Sequence, residues 1–151
     1  MPQLYCGSVA PPMETLCLTI PNRLDEIGPL ARGAAAFLES HHVDPDATFA
    51  VDLALEEMVS NVIKYGCPDR DSGQICIRLQ IGEDRISLVV EDSGPPFNPL
   101  ELPEPDLDKP VDQRPIGGLG VFLVRKTVDQ MEYERQGNRN ILRITVVRRH
   151  E

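Results

Sequence analysis

Apolar and polar residues alternate over 15–20 (TLCLTI), which puts Leu16, Leu18 and Ile20 on one face and predicts a first strand. From Leu24 to about His41 the period lengthens: Ile27, Leu30, Ala34, Phe37 and Leu38 recur at helical spacing, and Gly28-Pro29 suits the turn into that helix. A second helix is predicted after Asp44-Pro45-Asp46, running to Tyr65, where Gly66 and Pro68 stop it. Alternation then returns twice. Ile75, Ile77, Leu79 and Ile81 mark a strand over 75–81, and Ile86, Leu88 and Val90 mark another over 85–92. Gly82-Glu83-Asp84 turns the chain between them, so the pair reads as an antiparallel hairpin with one buried face.

The pattern breaks from Pro95 to Pro115. This stretch holds seven of the 14 prolines and five acids, Glu101, Glu104, Asp106, Asp108 and Asp112. Such a segment is neither helix nor central strand for most of its length, and inside one domain it predicts a lid over about 95–116. Beyond it, GGLGVFLVRKTVDQM (117–131) opens on glycines and becomes an apolar-striped helix. Two strands follow, 131–136 and 140–148, joined at Gln136-Gly137-Asn138. The order β, α, α, β, β, lid, α, β, β predicts an α+β fold, a two-layer sandwich whose mostly antiparallel mixed sheet carries the helices on one face. A doubly wound parallel sheet fits less well, because hairpins outnumber βαβ units. At 151 residues the chain is read as a single domain, 1–151.

Composition narrows the partners. The chain is 41% hydrophobic and 26% charged, as an average globular protein is, and 24 acids against 15 Lys and Arg leave a net charge of −9. That sign repels phosphate backbones and anionic lipid, so neither nucleic acid nor membrane is expected as a main partner, although one small basic patch could still hold a nucleotide. Met1–Ala10 has no basic start followed by an apolar run, and no stretch approaches the roughly 20 apolar residues that span a bilayer; a cytoplasmic protein is expected. Cys6, Cys17, Cys67 and Cys76 form no CxxC pair, and His41, His42 and His150 are scattered. Reduced thiols and no cysteine-held metal are the expectation.

Three short motifs carry chemistry. In ALEEMVSNVIKYG (54–66), Glu57, Asn61 and Lys64 fall within roughly 60° of one another on the predicted helix, opposite Val51, Leu55, Val59 and Ile63. The stripe suits a solvated face. It also suits a phosphate–metal site, with an amide oxygen as a hard ligand, a carboxylate to take a proton and an ammonium to meet phosphate. Asp92-Ser93-Gly94-Pro95-Pro96-Phe97 leaves the end of an apolar strand; Asp92 serves either the turn or an exocyclic amine such as adenine's, and Gly94 lets a flat ring approach. Gly117-Gly118-Leu119-Gly120 is either a tight turn into a helix or a row of backbone N–H groups for phosphate oxygens. It is neither a Walker A loop nor a dinucleotide fingerprint.

Taken in order, ExxxN on a helix, DxGPPF after a strand, a lid and GGLGVFLV opening a helix resemble the GHKL (Bergerat-fold) ATP-binding superfamily, which includes histidine kinases and gyrase. GGLGVFLVRKTVDQMEYER and GNRNILRITVVRR are especially similar to bacterial anti-sigma-factor serine/threonine kinases, and the resemblance covers about 12–149.

That resemblance implies ATP and Mg²⁺ as cofactors, Asn61 as the magnesium ligand and Glu57 as the catalytic base, with Glu56 pointing elsewhere. It implies Asp92 and Gly94 at the adenine, and Gly118, Leu119 and Gly120 around the phosphates. Gly117 would be the lid hinge, and Lys64 and Arg114 further phosphate contacts. Thr145 is a loose match to a polar position on the last strands. The implied partners are a sigma factor or similar client, an anti-sigma-factor antagonist protein as phosphorylation substrate, and a second copy of the chain as a possible homodimer. The alternatives are a nucleotide-gated binding module without phosphotransfer, and the catalytic module of a histidine kinase, which this chain fits poorly because it lacks a helical hairpin carrying the phosphorylated His.

Overall fold

Five strands and three helices build the computed structural model, which describes residues 13–66, 73–113 and 118–150. They are β1 (Glu14–Pro21), α1 (Ile27–Ser40), α2 (Pro45–Asn61), β2 (Gln74–Ile81), β3 (Arg85–Asp92), α3 (Leu119–Thr127), β4 (Gln130–Gln136) and β5 (Arg139–Val147). The sheet order is β1-β2-β3-β5-β4, and every pairing in it is antiparallel. The expected two-layer α+β arrangement is thus present, without a parallel pair in the sheet.

Period-2 alternation sets the core. Leu16, Leu18 and Ile20 of β1, Ile75 to Ile81 of β2, Ile86, Leu88 and Val90 of β3, and Leu142, Ile144 and Val146 of β5 form one apolar surface. The helices cover it. α1 contributes Leu30, Ala34 and Leu38, and α3 contributes Val121 and Val124. Between them α2 buries a much wider arc than the single predicted stripe, including Ala47, Ala50, Ala54, Met58 and Asn61 as well as Val51, Leu55 and Val59. An inner helix with neighbours on several sides has no solvated stripe of ordinary width.

Two boundaries differ from the sequence expectation. α2 keeps α geometry only to Asn61 and continues as a π turn, Val62–Gly66. Lys64 therefore leaves the stripe of Glu57 and Asn61 and is exposed. The helix predicted over 117–131 ends at Thr127. Val128 is extended, Asp129 N–H donates to Thr145 O at 3.0 Å, and the Asp129 carboxylate accepts from Val147 N–H at 2.7 Å, which ties the chain to β5 before another helical turn can form. Between β3 and α3 the described part of the proline-rich segment contains two short 3₁₀ turns, Pro99–Glu101 and Val111–Gln113. Among the described residues no helix is long and apolar enough to cross a membrane.

Candidate functional site

At one end of the sheet the inward rows stop being apolar. The row of β3 ends in Asp92, that of β5 begins with Asn140, and the row of β1 is followed by Asn22; all three side chains are buried. Asp92 Oδ1 accepts from Gly94 N–H at 2.9 Å and from Asn140 Nδ2 at 3.0 Å. One oxygen thus makes the turn, as the first reading of this motif expects, while Oδ2 takes no hydrogen bond among the described residues.

Asn140 holds three other groups together. Its Nδ2 also donates to Pro95 O at 2.9 Å, and its Oδ1 accepts from Phe97 N–H at 3.1 Å and from the Tyr133 hydroxyl. Arg135 adds a clamp, donating from Nη1 to Gly94 O at 2.7 Å. Thr145, by contrast, pairs with Ser87 and Gln130, and its row faces away from the helices. The polar side chain that the last strands bring to Asp92 is Asn140, which the sequence alone did not single out. Its signal was an amide at the head of an alternating apolar row.

The helix side of the same end is formed by α2. Asn61 is only 8% exposed, lines a narrow cleft with Met58, Val62, Asp92, Phe97 and Asn140, and its amide makes no hydrogen bond among the described residues. Glu57, one turn earlier, is half-buried against the opening of α3. A Cβ placed on Gly120 would collide with the Glu57 carboxylate, lying 2.8 Å from Cδ, so only glycine permits this approach. Gly118 caps α3 with φ +87°, and a Cβ there would lie 2.9 Å from Pro103 O. Leu119 is exposed.

Slight desolvation, followed by the charges of Asp52 and Glu57, raises the pKa of the Glu56 carboxyl from its ordinary value; most of the residue is exposed, away from Glu57's face of the helix. Glu57, Asn61, Asp92, Gly94 and Gly120 are thus gathered at one end of the layer between helices and sheet, and Lys64 stands outside this group. Arg114 and Gly117 lie outside the described residues.

This arrangement has a match in sequence. The profile of the histidine kinase-like ATPase domain family covers residues 20–146, which include every described residue of the site. The chain belongs to that family.

Within it, the chain is 27% identical over 103 residues to a serine-protein kinase RsbW of Bacillus mycoides, covering 66% of this chain and 64% of the relative. To the serine-protein kinase RsbW of Bacillus velezensis it is 28% identical over 87 residues, 54% of each. The chain thus spans less than two thirds of the length of these curated relatives. Its fold is similar to a crystal structure of the RsbU and RsbW domains of Rv1364c from Mycobacterium tuberculosis, with a TM-score of 0.65 and 14% identity over 92% of this chain and 34% of that one. The GHKL resemblance to the anti-sigma kinase branch accords with these relatives.

Proposed function

We propose that this chain is an ATP-dependent protein serine/threonine kinase that acts in the cytoplasm as an anti-sigma factor in a partner-switching system. The observation that carries the reading is the placement of Glu57 beneath Gly120, one helical turn before the buried amide of Asn61, which has no hydrogen bond among the described residues. A binding site alone has no need of a carboxylate set against the glycine turn at the phosphate end, an approach that a Cβ on Gly120 would displace.

The residues fit ATP and Mg²⁺. Asn61 offers a hard, unengaged oxygen to the metal, and the free Asp92 Oδ2 offers an acceptor to the adenine amine. Gly94 lets the ring lie close, and the backbone of Gly118, Leu119 and Gly120 faces phosphate oxygens at the α3 N-terminus. Bound Mg²⁺ would neutralise charge on the triphosphate. Glu57 would orient the attacking hydroxyl of the partner protein and take its proton. By the family resemblance Arg114 would be a further phosphate contact and Gly117 the hinge of a lid over 95–116 whose acids face the client or antagonist; Lys64, exposed and outside the group, would reach phosphate only if the end of α2 moved.

The test is incubation of the purified chain with radiolabelled ATP, Mg²⁺ and candidate antagonist proteins encoded beside it. Label on a partner serine or threonine supports the kinase. ATP binding without label on any partner selects the nucleotide-gated binding module instead.

A further inference from the structure

Asn22 is 1% exposed, and neither its Oδ1 nor its Nδ2 has a hydrogen-bond partner among the described residues. Its backbone is firmly placed, with N–H donating to Gly73 O at 3.0 Å, so the side chain is held there by the sheet. A buried amide with both ends unpaired is destabilising, and such a group in a folded protein calls for a ligand or a trapped water. Asn22 lines a cavity of about 130 Å³ together with Val62, Ser93, Gly94 and Asp92. That is also where the proposed nucleotide reading puts the adenine amine, and the inference rests on that reading.

The chemistry of the two side chains is complementary. An ionised Asp92 only accepts, so it can satisfy one of the two amine hydrogens and neither ring nitrogen. An amide both accepts and donates, which matches an amine hydrogen beside a ring nitrogen, the pairing by which Asn recognises adenine edges generally. We infer that Asn22 is a second base-reading residue, taking the other amine hydrogen of adenine on Oδ1 and donating Nδ2–H to the neighbouring ring nitrogen.

Titration calorimetry of the full chain with ATP and with N6-methyl-ATP tests this. Wild type is expected to bind the methylated nucleotide roughly two- to tenfold more weakly, the loss of one neutral hydrogen bond. Asn22→Ala should bind ATP weaker by a similar factor and show no further loss on methylation, and its unfolding midpoint without nucleotide should not fall. Equal affinity of wild type for the two nucleotides overturns the inference with no variant needed. So does an Asn22→Ala chain that binds ATP like wild type, or one that merely unfolds earlier while keeping the full methylation penalty, as a water-bridged structural amide would. Wild type that binds no adenine nucleotide overturns the nucleotide reading itself, a different result from either of these.

Discussion

Asn140 stands directly across the β3–β5 ladder from Asp92 and donates to its carboxylate at 3.0 Å. Because the same amide also serves Phe97 N–H and the Tyr133 hydroxyl, one side chain couples the base of the site to the start of the proline-rich segment. Asn140→Ala leaves those donors and the Asp92 carboxylate short of a partner. It should destabilise the fold by about 1–3 kcal/mol in denaturant unfolding and weaken nucleotide binding as well. Unchanged stability would show that the network contributes nothing.

On the proposed reading, Asp92 Oδ2, which takes no hydrogen bond among the described residues, can accept from an amine and not from a carbonyl. ATP and ADP should bind better than GTP by roughly ten- to a hundredfold, the loss of a charge-assisted hydrogen bond worth about 1.5–3 kcal/mol. Calorimetry with equal ATP and GTP affinities would remove Asp92 from base recognition.

Glu57 and Asn61 lie on one face of α2 and should fail differently. Asn61→Ala should lower both Mg²⁺-dependent ATP affinity and phosphotransfer. Glu57→Ala should cut transfer to the partner by about 10²–10⁴-fold while ATP affinity stays near wild type. Glu56→Ala, on the exposed side, is the control and should change neither. Intact transfer in Glu57→Ala would end the base assignment.

Gly120→Ala drives a methyl group into the Glu57 carboxylate. Transfer should fall by at least an order of magnitude, about the effect of misplacing a reacting group. In a Glu57→Ala background the same substitution removes no contact, and the better helix propensity of Ala should leave stability equal or up to about 1 kcal/mol higher. A Gly120→Ala enzyme with wild-type rate would show that the approach of Glu57 is incidental.

Asp44 caps α2, accepting from Ala47 N–H at 3.1 Å, and binds Arg149 N–H at 2.9 Å. Partial burial alone would raise its pKa from 3.8, but hydrogen bonds from the Arg149, Ala47 and Asp44 N–H groups and the Arg149 charge hold it lower. With the folded value below the unfolded one, its stabilisation is fully present above pH about 4 and is lost as pH falls through the folded value. Asp44→Ala should cost about 1 kcal/mol at neutral pH. Asp44→Asn keeps a capping side chain but should flatten the acid limb of the stability curve; an unaltered limb would assign that titration to other groups.

The alternating rows of β1, β2, β3 and β5, the helical periods and the Asp44 cap are local properties of the backbone, so the sequence by itself determined the element order, the inward faces and the placing of Glu57 and Asn61 one turn apart. It did not reveal the end of α-helical geometry at Asn61 or the release of the chain at Val128, which depend on what each segment meets in space. Asn140 reads locally as the first residue of a strand, and Asn22 carries no local signal of its own. They reach the same end of the layer only when strand register sets Asn140 against Asp92, 48 positions away, and when the closed layer buries Asn22 at a cavity that Asp92 also lines. The approach of Glu57 to Gly120 likewise belongs to the packing of α2 on α3. Period follows from the geometry of a few consecutive residues, whereas contact between distant polar groups is decided by how the apolar rows pack, and only the folded layers specify that.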